Sequence, residues 1–207
     1  MTIAHARGRP RGFDLDDALD AALELFWREG FRATSTRDLE ATLGVNQSSL
    51  YHAFGSKAEL LAAALDRYER RIDAALVEPL EGSPLGLEAI EDFFSNLHRW
   101  ITHDGKRGCL VINLMAEDGG ADTAITRRTR RYRRRVRSAL HTALDRAARS
   151  GEIAPTALDE RSELLFGMVL GLNIAVRGGA SRAEIGGIMT GVQQQIGAWR
   201  LPQPATE

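Results

Sequence analysis

The chain is expected to be all-α: an N-terminal three-helix domain containing a helix-turn-helix, joined by a long helix to a larger helical domain, about nine helices in total. Three observations lead there. Apolar residues recur three and four positions apart, the spacing of one helix face, and no run alternates as a half-buried strand does. Helix-start residues and glycine or proline breaks punctuate these periodic runs at helix-length intervals. At 43% apolar and 27% charged residues, the 207-residue composition is that of a soluble globular protein rather than a disordered one.

The first helix starts at Asp14, with Asp17 near the positive end of its dipole, and carries Leu15, Leu19, Ala22, Leu23 and Phe26 on one face. Gly30 is expected to end it as a left-handed cap. A short second helix follows the Thr34-Ser35-Thr36 capping cluster and presents Leu39 and Leu43 before Gly44. A third begins at about Asn46 and holds Leu50, Tyr51 and Phe54. Ser56 and Glu59 have capping-box spacing, so a long fourth helix starts there with Leu60, Leu61, Ala64, Leu65, Tyr68, Ile72 and Leu76 in one stripe. It is expected to stop before Pro79, with residues 79–86 as a loop. Further helices are expected at roughly 87–102, 109–117, 121–150, 158–176 and 182–199. The corresponding organisation is a flexible basic arm (1–12), a helix-turn-helix domain (13–58), a helical domain (59–201) and a disordered tail (202–207).

Several function classes fall away on composition. No window approaches 18 uninterrupted apolar residues, and no apolar run follows the N-terminal arginines, so a cytoplasmic protein without membrane association is expected. A single cysteine, Cys109, makes neither a disulfide framework nor a cysteine zinc cluster. The histidines at 5, 52, 98, 103 and 141 are scattered, no glycine loop cradles phosphate, and the serines lack a strained elbow motif. No cofactor, metal or catalytic residue is expected. The enzyme alternative is a Cys109-centred nucleophile with His103, and a helical adaptor without DNA binding is the third class.

The two short helices around Gly44-Val45 have the proportions of a helix-turn-helix, with Gly44 tolerating the positive φ of the turn. Val45 is expected to join Leu39 and Leu50 beneath the pair, leaving Asn46, Gln47, Ser48 and Ser49 exposed at the end that enters the major groove. Asn and Gln side chains suit adenine edges, serines suit bases or phosphates, and the helix N-terminus itself attracts phosphate. Such helix pairs also occur as plain packing units.

The run Thr36 to Lys57, above all Tyr51-His52-Ala53-Phe54-Gly55-Ser56-Lys57, with Leu25-Phe26 and Gly30-Phe31 upstream, resembles the signature of the TetR family of regulators. The match covers about the first quarter of the chain; the rest is similar only in helix order and length. The resemblance implies that Thr36, Tyr51, His52 and Lys57 touch phosphates while Gln47 and Ser48 approach bases. Tyr51 also fits a packing role, and His52 a solvated one. Between Asp14 and Leu60 there are four basic residues against nine acids, five of them on the first helix between Asp14 and Glu24. Positive charge must therefore come from Lys57, Arg37 and the arm. That arm, Arg7-Gly8-Arg9-Pro10-Arg11, resembles an AT-hook core, so Arg7, Arg9 and Arg11 suit an A·T-rich minor groove. A merely solubilising tail is the alternative.

The resemblance further implies an effector-binding and dimerisation domain. Tyr68, Phe94, Trp100, Met115, Phe166 and Asn173 become candidate cavity residues, though a filled core has the same content. Cys109 follows His103, Lys106 and Arg107 and opens a helix, where cations and unpaired amides favour thiolate. Gly108-Cys109-Leu110, with Asn113 and Ala116-Glu117, resembles an electrophile- and oxidant-responsive branch of the family; an inert buried cysteine is the other reading. Eight arginines crowd residues 127–137, but Ile125, Thr129, Tyr132, Val136, Leu140 and Leu144 keep an apolar stripe through them. The arginines therefore fit a solvated helix face, with Asp159, Glu160 and Glu163 as candidate partners. In the last two helices the resemblance implies a two-fold four-helix interface involving Leu164, Met168, Gly171, Leu172, Ile188, Val192 and Ile196, hence a homodimer on a pseudo-palindromic operator. It implies a repressor released by a small molecule or by Cys109 modification.

Overall fold

The computed structural model describes residues 14–103, 107–118 and 123–202. The arm residues Arg7, Arg9 and Arg11, Lys106 and the tail after Pro202 lie outside them. The described α-helices are α1 (Leu15–Glu29), α2 (Thr36–Leu43), α3 (Gln47–Phe54), α4 (Lys57–Ile72), α5 (Glu78–Gly82), α6 (Leu87–Thr102), α7 (Leu110–Asp118), α8 (Ala124–Arg149), α9 (Leu158–Arg177) and α10 (Arg182–Gly197). A π-helical turn at Asp73–Val77 makes α4 and α5 one helical run, so the described residues form nine continuous helical segments. The only β contact among them is an isolated antiparallel bridge between Ile153 and Arg200.

The chain divides into two compact units, Met1–Asp66 and Arg67–Glu207, with the boundary inside α4. In the first, α1 packs on α2 and α2 on α3. Its apolar interior includes Ala22, Leu23, Leu25, Phe26, Leu39 and Leu50, together with Leu60, Leu61, Ala64 and Leu65 from the start of α4. In the second, α8 packs on α5, α6, α7 and α9, while α10 closes on α6 and α9.

Local chemistry sets most helix starts. Asp14 caps α1, its carboxylate accepting from the Asp16 and Asp17 amides at 2.7 and 3.3 Å. Of the Thr34-Ser35-Thr36 cluster, Ser35 is the cap of α2 and forms a reciprocal box with Asp38. Ser56 and Glu59 also exchange hydrogen bonds, the Glu59 amide to Ser56 Oγ at 3.2 Å and the Ser56 hydroxyl to Glu59 Oε2 at 2.8 Å.

Two boundaries differ from expectation. Gly30 has φ 89° but ψ 154°, so it is not a left-handed helical cap; it carries the chain away extended through a conformation glycine reaches readily. The fourth helix does not stop before Pro79, and residues 79–82 are helical rather than loop. Within the π turn, the Glu78 amide bonds to the Asp73 carbonyl, five residues back. The widened turn draws the backbone away from the carbonyl that a proline ring would strike in an α-helix, and Pro79 then occupies the first turn of α5, where its missing N–H costs little.

The 83–87 connection lies hard against α8. A Cβ at Gly86 would stand 2.5 Å from both Cα and Cβ of Ala147, part of the helix rather than a movable side-chain tip. Gly86→Ala is predicted to lower unfolding free energy by about 2 kcal/mol or more, as overpacking does. Gly82→Ala, where a Cβ meets nothing within 4 Å, should change it by less than about 1 kcal/mol. Urea denaturation of the two variants distinguishes these outcomes.

Candidate nucleic-acid interface and buried polar cluster

Gly44 ends α2 at φ 65° and ψ 26°, the left-handed conformation expected of the turn. Nothing would touch a Cβ there, so glycine is favoured by backbone conformation alone. Leu39 and Leu50 are buried and Val45 is half-buried, while Asn46, Gln47, Ser48 and Ser49 are all exposed. Asn46 caps α3: its Oδ1 accepts the Ser49 amide at 2.8 Å and the Ser48 hydroxyl at 2.7 Å. With that oxygen engaged twice, Asn46 is poorly prepared for the paired donor and acceptor contact that an adenine edge needs. The Gln47 side chain is exposed and makes no hydrogen bond among the described residues.

The structure links several other candidates. Thr36 Oγ1 and the Tyr51 hydroxyl lie 3.0 Å apart, tying α2 to α3. Lys57 is half-buried: its ammonium donates to the Thr34 carbonyl and lies 4.6 Å from the centre of the Phe31 ring. It thus pins the start of α4 to the segment before α2. His52 is exposed in the last turn of α3. The Ser35 hydroxyl and amide hold the Asp38 carboxyl below its ordinary range.

In the second unit, Tyr68, Trp100, Cys109 and Asn173 come together. The Tyr68 hydroxyl accepts from the Leu110 amide at 3.1 Å and from Trp100 Nε1 at 3.3 Å, with the Trp100 ring edge-on at 6.1 Å. The Cys109 amide donates to Asn173 Oδ1 at 2.6 Å, and Asn173 Nδ2 donates to the Val169 carbonyl at 2.8 Å. Gly108 adopts φ 70°, and a Cβ there would stand 3.1 Å from the Asn173 carbonyl oxygen. Asn113 steadies the approach to this turn by donating to the Arg107 carbonyl at 2.9 Å. Tyr132 of α8 belongs to the same buried cluster, since its phenol, that of Tyr68 and the Cys109 thiol influence one another's protonation. Sequence reading placed Tyr132 only in an apolar stripe; a phenol on an otherwise apolar face was the available signal. Of the other candidates, Phe94 packs edge-on against Phe93, Phe166 lies under the Arg133 guanidinium, and Met115 is half-buried.

Cys109 is completely buried, and desolvation pushes its thiol pKa up, outweighing the phenols and the Ile112 and Val111 amides that pull it down. Of the two readings open for Cys109, burial favours the neutral buried thiol over the thiolate: His103 is exposed and Arg107 half-buried, and the cost of placing an anion in the core exceeds what a helix start returns. Burial likewise holds the Tyr68 and Tyr132 hydroxyls well above the ordinary tyrosine range.

On α9 and α10, Leu172, Val192 and Ile196 are buried within the chain's own core, so they cannot themselves form an outer face. Leu164 at 45% exposure, Met168, Gly171 and Ile188 remain accessible, joined by Ile174 at 53%, which sequence reading missed. Gly167, Gly171, Gly187 and Gly191 leave open space where side chains would stand.

The arginines of α8 are partly neutralised. Arg128 grips Glu69 through Nε and a terminal nitrogen at 2.6 and 3.0 Å, Arg135 pairs with Asp73 and Glu81, and Arg137 pairs with Glu163. Asp159 pairs instead with His141 at 3.3 Å. The acids on α4, the π turn and α5 were not anticipated as partners. Among the described residues no cluster of His, Cys, Asp or Glu could hold a metal, and no helix is long and apolar enough to cross a membrane.

Comparison with known proteins gives concordant matches. The sequence pattern described as "Bacterial regulatory proteins, tetR family" matches residues 18–64, and "Tetracyclin repressor-like, C-terminal domain" matches residues 86–191. The chain is 36% identical over 189 residues to the HTH-type transcriptional repressor ComR of Escherichia coli (strain K12), covering 88% of this chain and 89% of that one. It is 28% identical over 185 residues to the HTH-type transcriptional regulator UidR of the same strain, covering 83% and 91%. A cysteine mutant of the TetR family regulator CifR, solved with 26-base-pair operator DNA, superposes with a TM-score of 0.77 at 26% identity, covering 92% of this chain and all of that one.

The buried cluster makes two predictions. Cys109 should react with a water-soluble thiol reagent at least about 100-fold more slowly in the native chain than in denaturant. Asn173→Ala, which leaves the buried Cys109 amide without its acceptor, should cost about 2–3 kcal/mol and speed the reaction. The second concerns pH. Stability from keeping the thiol neutral is complete below its unfolded pKa and declines as pH rises through the higher folded value. Cys109→Ala should therefore show a shallower alkaline loss of stability than the wild type in denaturation midpoints followed against pH.

Proposed function

Because the chain belongs to the TetR family of bacterial regulatory proteins, we propose that it is a DNA-binding transcriptional repressor that reads a pseudo-palindromic operator as a homodimer and releases it when an effector acts on the second unit. The observation that carries the DNA-reading part is the exposed Gln47-Ser48-Ser49 segment at the N-terminal end of α3, set behind the left-handed Gly44 turn. ComR, similar along nearly its whole length, is a transcriptional repressor, and CifR has been solved on operator DNA.

The residue roles follow from geometry and chemistry. Gln47, with its amide uncommitted, reads a base edge. Ser48 donates its hydroxyl hydrogen bond to Asn46 Oδ1 and has its oxygen lone pairs left to accept from a base or its neighbours; Asn46 fixes the helix start. Tyr51 and Thr36 present linked hydroxyls to a phosphate, His52 adds a second contact, and Lys57 acts chiefly by holding α4 and the segment before α2 in place. Arg7, Arg9 and Arg11 supply minor-groove contacts. We assign DNA reading to residues 13–58 and effector binding and dimerisation to 59–201, in the cytoplasm. The dimer face consists of Leu164, Met168, Gly171, Ile174 and Ile188, whose outward apolar surface is otherwise left in water.

The effector acts at the Tyr68–Cys109–Asn173 cluster. A small molecule that inserts there must break the bond from the Cys109 amide to α9, the helix carrying the dimer face, and thereby favours one arrangement of the reading heads over another. A reversible ligand fits a neutral, buried thiol better than an electrophile does. Electrophile or oxidant sensing by Gly108-Cys109-Leu110 requires prior opening of the cluster.

The test uses DNA flanking the protein's own coding region at fixed salt. Gln47→Ala should weaken operator binding about 10- to 100-fold while leaving random-duplex binding unchanged. Equal operator affinity for wild type and variant contradicts the assignment. If an electrophile releases wild type but not Cys109→Ser, the thiol is the sensor; if it releases neither, the thiol reading fails and the search turns to a reversible ligand.

A further inference from the structure

Asp73, at the start of the π turn, is only half used by the fold. Its Oδ2 pairs with Arg135, whereas Oδ1 is shut off from solvent and accepts no hydrogen bond. A buried acceptor left without a donor is costly, the more so when it carries charge. Asp73 stands one helical turn beyond Glu69, and their partners Arg135 and Arg128 both lie on α8, so the two ion pairs are rungs between the same two stretches of helix. Tyr132 comes four residues after Arg128 and three before Arg135, which places it on the same face of α8 between the rungs, and it is buried. Asp73, Tyr68 and Cys109 all act on the protonation of its phenol. The unused oxygen therefore belongs to the interior that adjoins the Tyr68–Cys109–Asn173 cluster.

The charges around Asp73 indicate what the missing donor must be. Those that act most on its carboxyl are one guanidinium, Arg135, and three carboxylates, Glu69, Glu78 and Glu81. Arg135 is itself shared, its other terminal nitrogen meeting Glu81 at 3.2 Å. A neutral donor would satisfy Oδ1 and leave this excess of negative charge, whereas a cationic donor offsets both. A metal ion needs several oxygen donors together, and among the described residues no cluster of His, Cys, Asp or Glu provides them. An organic ammonium needs one carboxylate and is favoured further by aromatic rings, which Tyr68, Tyr132 and Trp100 supply in the same interior. Trp100 is half-buried where both tyrosines are buried, and its indole bond to the Tyr68 hydroxyl is 3.3 Å long, so it is the ring that an entering ligand body displaces.

We propose that Asp73 makes this interior a site for an organic cation: a protonated amine on an aromatic or apolar body, its ammonium donating to Asp73 Oδ1 beside the Tyr132 phenol. Asp73 is then the residue that selects an amine over a neutral molecule of the same shape. In taking this cation for the effector, the proposal rests on the reading that an effector acts at the Tyr68–Cys109–Asn173 cluster.

The experiment titrates the full chain, at neutral pH and matched ionic strength, with benzylamine, 2-phenylethylamine and hexylamine and with the alcohol of the same skeleton in each case. Binding is followed by calorimetry, and each probe is then added to the operator complex. The variants are Asp73→Asn, which keeps the shape and removes the charge, and Glu81→Gln, which removes a neighbouring charge and leaves Oδ1 untouched; circular dichroism melts confirm their fold. Wild type should bind at least one amine about 10-fold or more tighter than its alcohol, as a charge-assisted hydrogen bond requires. Asp73→Asn should reduce that preference to within about 2-fold, and Glu81→Gln should keep most of it. The same amine should weaken operator binding by wild type and not by Asp73→Asn. Equal binding of amines and alcohols that still releases the operator overturns the cation site and leaves the effector reading standing. A preference for amines that depends on Asp73 but leaves operator affinity unchanged bears out the site and contradicts the effector reading. Binding of no amine by wild type, or an undiminished preference in Asp73→Asn, overturns the proposal; the wild-type comparison decides alone if Asp73→Asn does not fold.

Discussion

A helix begins with amide groups that have no partner inside it, and an all-helical chain must satisfy them at every start. Where the partner comes from organises much of this molecule. At α1, α2, α3, α8 and α10 it is local: Asp14, Ser35, Asn46, Thr123 and Ser181 cap from the residue before the helix. At α6 and α7 it is distant. The Leu87 amide donates to a Glu152 carboxylate oxygen at 3.3 Å, and the start of α7 is held by Asn173 and the Tyr68 hydroxyl. Local caps set individual helices, whereas distant caps bind separate helices into a single unit.

The same constraint shapes both candidate sites. Asn46 cannot both cap α3 and read a base edge through the same oxygen, which leaves Gln47 as the uncommitted amide on the exposed side. In the second unit, the cap on Cys109 comes from α9, so anything that disturbs Cys109 disturbs a helix bearing exposed apolar surface. Burial keeps the thiol and both phenols neutral, making the cluster a set of hydrogen bonds rather than a charged centre.

The fold was largely legible in the sequence because its signals are local. Helical periodicity, capping residues and the Gly44 turn depend on neighbours within a few positions, and the exposed Asn46-to-Ser49 segment followed from them. What was not legible depends on distance. The pairing of Arg128 with Glu69 and Arg135 with Asp73 and the role of Tyr132 arise from residues tens of positions apart, while the π turn that carries a helix through Pro79 has no sequence period of its own to announce it. Cys109 was left between two readings for a related reason: sequence shows nearby cations, but only the fold shows the desolvation that outweighs them. Leu172, Val192 and Ile196 illustrate the wide stripes of α9 and α10, where spacing alone does not separate a helix's inner face from its outer one.

The central claim is that α3 places a reading head in the major groove and that two such heads act together. Nuclease footprinting on the DNA flanking the protein's own coding region tests it most directly. The account predicts two protected half-sites related by a two-fold axis, their centres separated by one helical turn or a multiple of it. Protection without two-fold symmetry, or no protection at concentrations where the chain is folded and dimeric, would contradict it.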